Sequence, residues 1–320
     1  MIDIIYYELS TIRICLSGSP YQALWRAAES CNITQATLSA MIKKLETELS
    51  VQIFDRSRHP IQTTDDGMLL LKKAEVILAK QQELFHLSQM DNGEMQGEIR
   101  LGIIPTMANS LLPLILPSIL EQHPKLKLII SEITTEQILY QLAHNQIDFG
   151  LLATPIEDLS EAYEEQIIYY EAMMVYGIES TEKGFVSSKD VENKKVWLLE
   201  EGHCFRTQSM TLCKIREKKE QSENLQFKSN SFETLLNLSD QMGGLTLVPE
   251  LYYNNLSPSR KAKTQFFQKP IPVREISILA IKPISKKRSM QKLVELIQEI
   301  VKPQLKTSTY KNRDLNIIGI

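Results

Sequence analysis

The sequence is short of cysteine, of net charge and of long apolar runs, and each shortage removes a class of protein. Four cysteines in 320 residues are too few for a disulfide framework. They suit a reducing compartment, where a cysteine pair is more often catalytic, metal-binding or redox-sensing than structural. A formal net charge of −3 does not by itself announce a nucleic-acid binder. No apolar run approaches the roughly 20 residues that a spanning helix needs: "SLLPLILPSIL" and "LKLIISEI" are interrupted by Pro113, Pro117 and Glu132. The opening "MIDIIYYELSTIRICLS" carries Asp3, Glu8 and Arg13, spaced too closely for the apolar core of a secretory signal. A cytoplasmic protein without membrane contact is expected. Catalytic signatures are missing too: there is no GxSxG, HExxH, P-loop or dinucleotide fingerprint, and nothing calls for a cofactor or a metal. The Gly243-Gly244 pair fits a helix C-cap turn better than a phosphate cradle.

What is present is an ordinary globular composition, 43% hydrophobic and 23% charged, long enough for two or three domains. "AAESCNITQATLSAMIKKLETELSVQIFDRS" predicts helix, tight turn, helix. Ala27 and Ala28 are small enough for close helix approach, Asn32 suits a left-handed turn, and Thr34 is a good N-cap. Leu38, Ile42, Leu45 and Leu49 recur at helical spacing and predict one buried stripe. The opposite face shows Gln35, Thr37, Ser39, Lys43 and Lys44. Those are amide and hydroxyl groups for base edges and lysines for phosphates. "DRSRHPIQTT" then reads as a β-wing with Arg56, Arg58 and His59 toward a nucleic-acid backbone. Residues 1–90 hold nine Lys and Arg against ten Asp and Glu, so any positive field must come from local placement, and a doubled reading head would strengthen binding. "TTDDGMLLLKKAEVILAKQQELFHLSQ" supplies a means of doubling. Leu71, Ala74, Leu78, Gln81 and Phe85 step by three or four along one long helix, a heptad-like seam suited to pairing.

These stretches, "RAAESCNITQATLSAMIKKLETELSVQIFDR" followed by "TTDDGMLLLKKA", resemble the DNA-binding region of LysR-type transcriptional regulators. The order of helix-turn-helix, wing and linker helix matches. "SGSPYQALWRAA" is about three residues longer than the family pattern, and Ala36 stands where a proline is common. The resemblance implies a regulator of double-stranded promoter DNA, working as a homodimer or homotetramer and acting on RNA polymerase.

"DNGEMQGE" (91–98) is polar with two glycines and reads as a hinge. Strand-like "IRLGII", "LKLIISEI" and "IDFGLLA" then alternate with helical segments at Asn109–Gln122 and Glu136–His144, predicting a mostly parallel sheet. A second set follows: "EAMMVYGI", "KVWLLE", a helix after Cys204, another from Ser231, "LTLVP", "ISILAI" and a final helix over Ser289–Val301. The expected fold is α/β. It comprises an N-terminal winged helix-turn-helix (1–63), a long linker helix (64–90), the hinge, and a two-subdomain effector domain (99–302) resembling periplasmic binding proteins. Subdomain I takes 99–168 and 271–302, and subdomain II takes 169–270. Residues 303–320 show no period and are left as a tail. A cleft between subdomains would suit a small organic effector.

"GHCFRTQSMTLC" (202–213) poses a separate question. If this segment is helical, nine steps at about 1.5 Å place the Cα atoms of Cys204 and Cys213 roughly 13 Å apart, whereas a disulfide needs them within about 7 Å. Helix and bond exclude each other, as a switch requires. Cys204 near a helix N-terminus, beside His203 and two positions before Arg206, is placed to favour thiolate. A sulfenic acid formed there could condense with Cys213. Two inert buried thiols remain the alternative. Zinc is disfavoured by the spacing. Cys15 and Cys31 read as core residues.

The same stretch is similar to the redox loop of peroxide-sensing members of the LysR-type family, and "IPTMANSLLPLI" and "NSFETLLNL…GGLTLVP" follow those proteins as well. The resemblance implies hydrogen peroxide as effector, Cys204 as the peroxidatic thiol and Cys213 as its resolving partner. Thr106, Thr135 and His203 would place peroxide, and Arg206 would favour thiolate. Thr207 stands where the family carries an aspartate, and Lys282 where an arginine is typical.

Overall fold

The computed structural model describes residues 33–58, 61–89, 95–178, 185–192, 194–200, 204–213 and 229–320. The chain divides into two compact units, one running to Asp91 with Pro283–Lys287, the other holding Asn92–Lys282 and Arg288–Ile320. Ala27, Ala28, Asn32, Cys15, Cys31 and His59 lie outside the described residues.

In the first unit, helix α1 spans Gln35–Leu49. Its cap is the predicted one: the Thr34 hydroxyl accepts from the Thr37 amide at 3.2 Å, satisfying one of the first turn's unpaired donors. Ser50 ends the helix in the left-handed region (φ 52°). Leu38, Ile42 and Leu45 are buried with Ile53, Phe54, Leu71 and Ala74 in one small core. Leu49, expected in that stripe, is exposed, because the helix ends there and no described element covers its last turn. Strands β1 (Phe54–Asp55) and β2 (Gln62–Thr63) form the two-stranded wing. Helix α2, Asp65–Gln89, follows, with Asp65 and Asp66 in its first turn complementing the helix dipole. Gly67 lets α2 pass the wing: a Cβ there would stand 2.3 Å from the Ile53 carbonyl oxygen.

The second unit is built on one nine-stranded sheet. Strands β3 (Gly97–Ile103), β4 (Leu126–Glu132) and β5 (Phe149–Thr154) are parallel. Helices α3 (Pro105–Gln122) and α4 (Thr135–Ala143) connect them, as parallel neighbours require. Two long strands carry the sheet onward, β6 (Tyr163–Tyr176) and β10 (Ile271–Ile281). β10 departs from the parallel expectation, whereas β6, antiparallel to β10, runs in the same direction as β5. β10 runs antiparallel to β5 and β6, and β8 (Thr246–Pro249) and β9 (Thr264–Phe267) run antiparallel to β6. "KVWLLE" contributes only an isolated bridge, Val196 to Leu245, not a strand.

Around the far end of the sheet lie the two-residue strand β7 (Phe185–Val186), the short helix α5 (Ser188–Val191) and helix α6 (Cys204–Cys213). Helix α7 (Phe232–Met242) is capped by Ser231 and ended by Gly243 at φ 67°, the expected C-cap turn. Short helices α8 (Glu250–Asn254) and α9 (Pro258–Ala262) and the terminal helix α10 (Lys287–Val301) complete the layer. Residues 302–320 form three 3-10 turns and a strand, β11 (Leu315–Ile317), parallel to the start of β10.

Candidate functional site

The reading face of α1 is as expected in kind: Gln35, Thr37, Ser39, Lys43 and Lys44 are all exposed. Its basic neighbours are already paired. Arg56 donates to Glu46 Oε2 at 3.1 Å. Arg58 pairs with Asp55 at 3.2 Å and donates to Gln62 at 2.9 Å. Glu46 also accepts from the Ile53 and Phe54 amides at 2.8 and 3.1 Å, so one carboxylate fixes the wing to α1. On α2, Leu71 and Ala74 pack into the head's own core instead of opening a pairing seam. Among the described side chains of α2 the large exposed apolar ones are Met68, Leu69, Val76 and Ile77, with Leu69 and Val76 one heptad apart. The side chains of Leu78, Gln81 and Phe85 lie outside the described residues.

The thiol site sits in the second unit. Helix α6 begins at Cys204 and ends at Cys213, both reduced and buried. Ten helical residues separate the two Cα atoms by roughly 13 Å, so the pair is out of bonding range. Burial pushes the Cys204 thiol up from its ordinary value. The Arg274 charge, the Thr135 hydroxyl and backbone groups of Phe205 and Ala153 pull it back in part. Burial alone pushes Cys213 up to about 12, in a cluster that includes Phe205, Trp197 and Leu199.

Arg274 was not a sequence candidate. It lies on β10 opposite Glu171 on β6, fully buried. Its Nη1 donates to the Thr106 hydroxyl at 2.9 Å and its Nη2 to the Thr106 carbonyl at 3.1 Å. Its guanidinium carbon is 5.2 Å from the Phe205 ring centroid. The architecture thus brings the N-termini of α3 (Thr106) and α6 (Cys204) to one buried cation, and that of α4 (Thr135) to the Cys204 thiol. The Thr135 hydroxyl is buried and, the Cys204 thiol aside, has no hydrogen-bond partner among the described residues. Gln208, one turn along α6 from Cys204 and fully buried, was also missed.

Three expected pocket residues stand elsewhere. Arg206 donates to the Leu199 carbonyl at 2.9 Å; the charge acting on Cys204 is that of Arg274. Thr207 is exposed. Lys282 follows the last residue of β10, 3.1 Å from the Glu161 carbonyl and 3.6 Å from Glu164. Eight residues of near-extended chain, about 25 Å, separate it from Arg274. His203 lies outside the described residues. Among the described residues no group of three or more His, Cys, Asp or Glu could hold a metal ion, and no helix is long and apolar enough to cross a membrane.

A winged helix-turn-helix head, a long helix and an α/β domain carrying a buried thiol pair have the build of a DNA-binding regulator. Residues 21–68 match the family described as "Bacterial regulatory helix-turn-helix protein, lysR family", and residues 92–302 match "LysR substrate binding domain". The chain belongs to the LysR-type regulators, a family of DNA-binding transcription factors. Among its relatives are the "DNA-binding transcriptional dual regulator OxyR" of Escherichia coli K12, 34% identical over 85% of this chain and 89% of the relative. The "Hydrogen peroxide-inducible genes activator" of Haemophilus influenzae is 32% identical over 82% and 86%. Similar solved structures include a full-length OxyR variant from Pseudomonas aeruginosa (TM-score 0.65, 25% identity, 92% of this chain and 97% of that one). Another is the reduced form of OxyR (TM-score 0.52, 30% identity, 64% and 96%).

Proposed function

We propose that this regulator senses hydrogen peroxide through Cys204 and Cys213 and so controls oxidative-stress genes at double-stranded promoter DNA. The Cys204 thiolate attacks one peroxide oxygen. The sulfur–oxygen bond forms, the O–O bond breaks, and the departing hydroxide takes a proton and leaves as water. The Cys213 thiol then displaces a second water from the sulfenic acid and closes the disulfide. Two thiols and one peroxide give one disulfide and two waters. Thr135, the Thr106–Arg274 pair and His203 are the groups that would place peroxide and stabilise the departing oxygen. Burial raises the Cys204 thiol above its ordinary value, and the Arg274 charge and the Thr135 hydroxyl act against that rise.

The carrying observation is that both thiols are the two ends of one helix. Bonding them requires α6 to unwind. We infer that this remodelling changes how the DNA-reading heads are presented in a homodimer or homotetramer. The exposed Leu69 and Val76 of α2 offer an apolar stripe for pairing, and contact with RNA polymerase would carry the output in the cytoplasm. We place subdomain I at 99–168 and 271–302 and subdomain II at 169–270 on either side of this switch.

The test is mass spectrometry of free thiols before and after micromolar peroxide, with peptide mapping. A Cys204–Cys213 crosslink at low dose is expected, and Cys204→Ser abolishes it. A response in DNA binding with both thiols untouched would refute the mechanism.

A further inference from the structure

The last six residues are tied to the redox helix. Strand β11 lies parallel to β10, pairing Leu315 with Ile271, Asn316 with Pro272 and Ile317 with Val273. Ile318 then donates to the Val273 carbonyl at 2.9 Å, and Ile320 donates to the Pro155 carbonyl at 3.0 Å. Ile318 is 7% exposed and packs in the same apolar cluster as Cys213 and Phe205. Its carbonyl accepts from Gln208 Nε2 at 2.7 Å in a buried bond. Gln208 sits midway along α6, between the two thiols, and its other amide atom, Oε1, is buried without a partner among the described residues. One side chain of the redox helix therefore connects the chain's end to the strand residue that precedes Arg274.

The stretch before it, residues 302–309, is held by something else. Lys306 donates its amide to Glu250 Oε1 at 2.6 Å. The Thr307 hydroxyl lies 2.7 Å from the Tyr170 carbonyl and 3.0 Å from Glu250 Oε2. None of these partners is on α6, so the two stretches can respond differently.

We propose that Leu315–Ile320 is a latch held closed by the reduced helix and released when the Cys204–Cys213 bond forms. This rests on the redox reading above. A bond between the ends of α6 is incompatible with the helix that positions Gln208. Once Gln208 leaves, the Ile318 carbonyl is a buried acceptor without a donor, which is unfavourable, and the segment keeps only its short pairing with β10 and the backbone bonds of Ile320 with Pro155 and Glu157. The upstream anchor on Glu250 stays. Oxidation thus releases the ordered segment 315–320 from the sheet while residues 302–309 stay in place.

Hydrogen exchange read by mass spectrometry on the full chain tests this, with the disulfide made by diamide, a thiol oxidant that does not depend on peroxide recognition. The expected result is exchange about tenfold or more faster over 315–320 after bonding, while 302–309 keeps its protection. A mapped Cys204–Cys213 bond with unchanged exchange over 315–320 overturns the latch. The variant Gln208→Leu supplies a second arm that needs no oxidation. Its reduced form exchanges faster over 315–320, and its thiol–disulfide equilibrium in a fixed redox buffer moves about fivefold toward the disulfide, because only the reduced state loses a hydrogen bond. No change in either quantity overturns the proposal. If diamide bonds the thiols and peroxide does not, the peroxide-sensing function fails and the latch is still judged on the exchange data.

Discussion

Arg274 and Glu171 face each other across neighbouring strands, Nε to Oε1 at 2.7 Å and Nη2 to Oε1 at 2.6 Å, with almost no solvent on either side chain. The carboxylate's other oxygen accepts from the Leu251 amide at 3.2 Å. This pair fixes the cation that faces Thr106 and the thiol helix, so the strands that make the sheet also set the electrostatics of the site. Removing one member of a buried pair strands a charge, at a cost of about 3–5 kcal/mol. Glu171→Ala is therefore expected to lower the domain's unfolding free energy by that amount in urea titration. The double change Glu171→Leu with Arg274→Met should recover most of the loss. A double variant no more stable than the single one would show that the pair is not what stabilises this region.

The two pocket threonines should behave in opposite ways. The Thr106 hydroxyl accepts from Arg274, so Thr106→Val leaves a buried donor unpaired and is expected to cost about 1–3 kcal/mol. The Thr135 hydroxyl acts on the Cys204 thiol and makes no other hydrogen bond among the described residues. Thr135→Val should change stability little, since the hydroxyl holds no other part of the fold in place. It should also push the Cys204 thiol further up and slow its reaction with peroxide and with iodoacetamide at pH 7. Urea titration and alkylation rates separate the two effects, and equal stability losses in the two variants would contradict the arrangement.

Elements with a local cause were readable from the sequence. Thr34 capping α1, Ser231 capping α7 and Gly243 closing it are each decided within a few residues, as are the buried positions Leu38, Ile42 and Leu45. The thiol pair was legible because its meaning lies in the distance along one helix. The cation beside it was not. Arg274 and Glu171 are 103 positions apart and meet only through strand register, while Arg206 is adjacent in sequence yet donates back to Leu199 instead. The direction of β10 depends on what lies between strands, which periodicity does not report. The chain end is held by 3-10 turns and single hydrogen bonds, and these leave no repeating pattern.

Gly67 is expected to tolerate no side chain. A Cβ would meet the Ile53 carbonyl oxygen at 2.3 Å and its Cα at 2.8 Å, both backbone atoms that Glu46 and the small core hold in place. Gly67→Ala should force α2 away from the wing and destabilise the head by about 1–3 kcal/mol, the usual cost of overpacking. Calorimetry of the full protein should show this as an earlier transition for the head, together with weaker promoter binding. An unchanged transition would mean that α2 and the wing shift freely.

Burial of Cys213 gives a pH signature with a definite sign. Its thiol is pushed up to about 12 from an ordinary 9.0. Below pH 9 both folded and unfolded chains keep the proton, and Cys213 adds no pH dependence. Between pH 9 and about 12 the unfolded chain loses its proton while the folded one retains it. Stability attributable to this group therefore falls as pH rises through that window, by up to about 4 kcal/mol. Cys204, also raised by burial, contributes in the same direction. Lysines and tyrosines titrate in the same range, so the comparison that isolates the effect is Cys213→Ala against the parent, both reduced, in urea titrations at pH 8 and pH 10.5. The variant should be less stable at pH 8 through lost packing, and its deficit should shrink at pH 10.5. A deficit independent of pH would mean that Cys213 titrates as an exposed thiol, outside the apolar cluster that holds α6 in its reduced form.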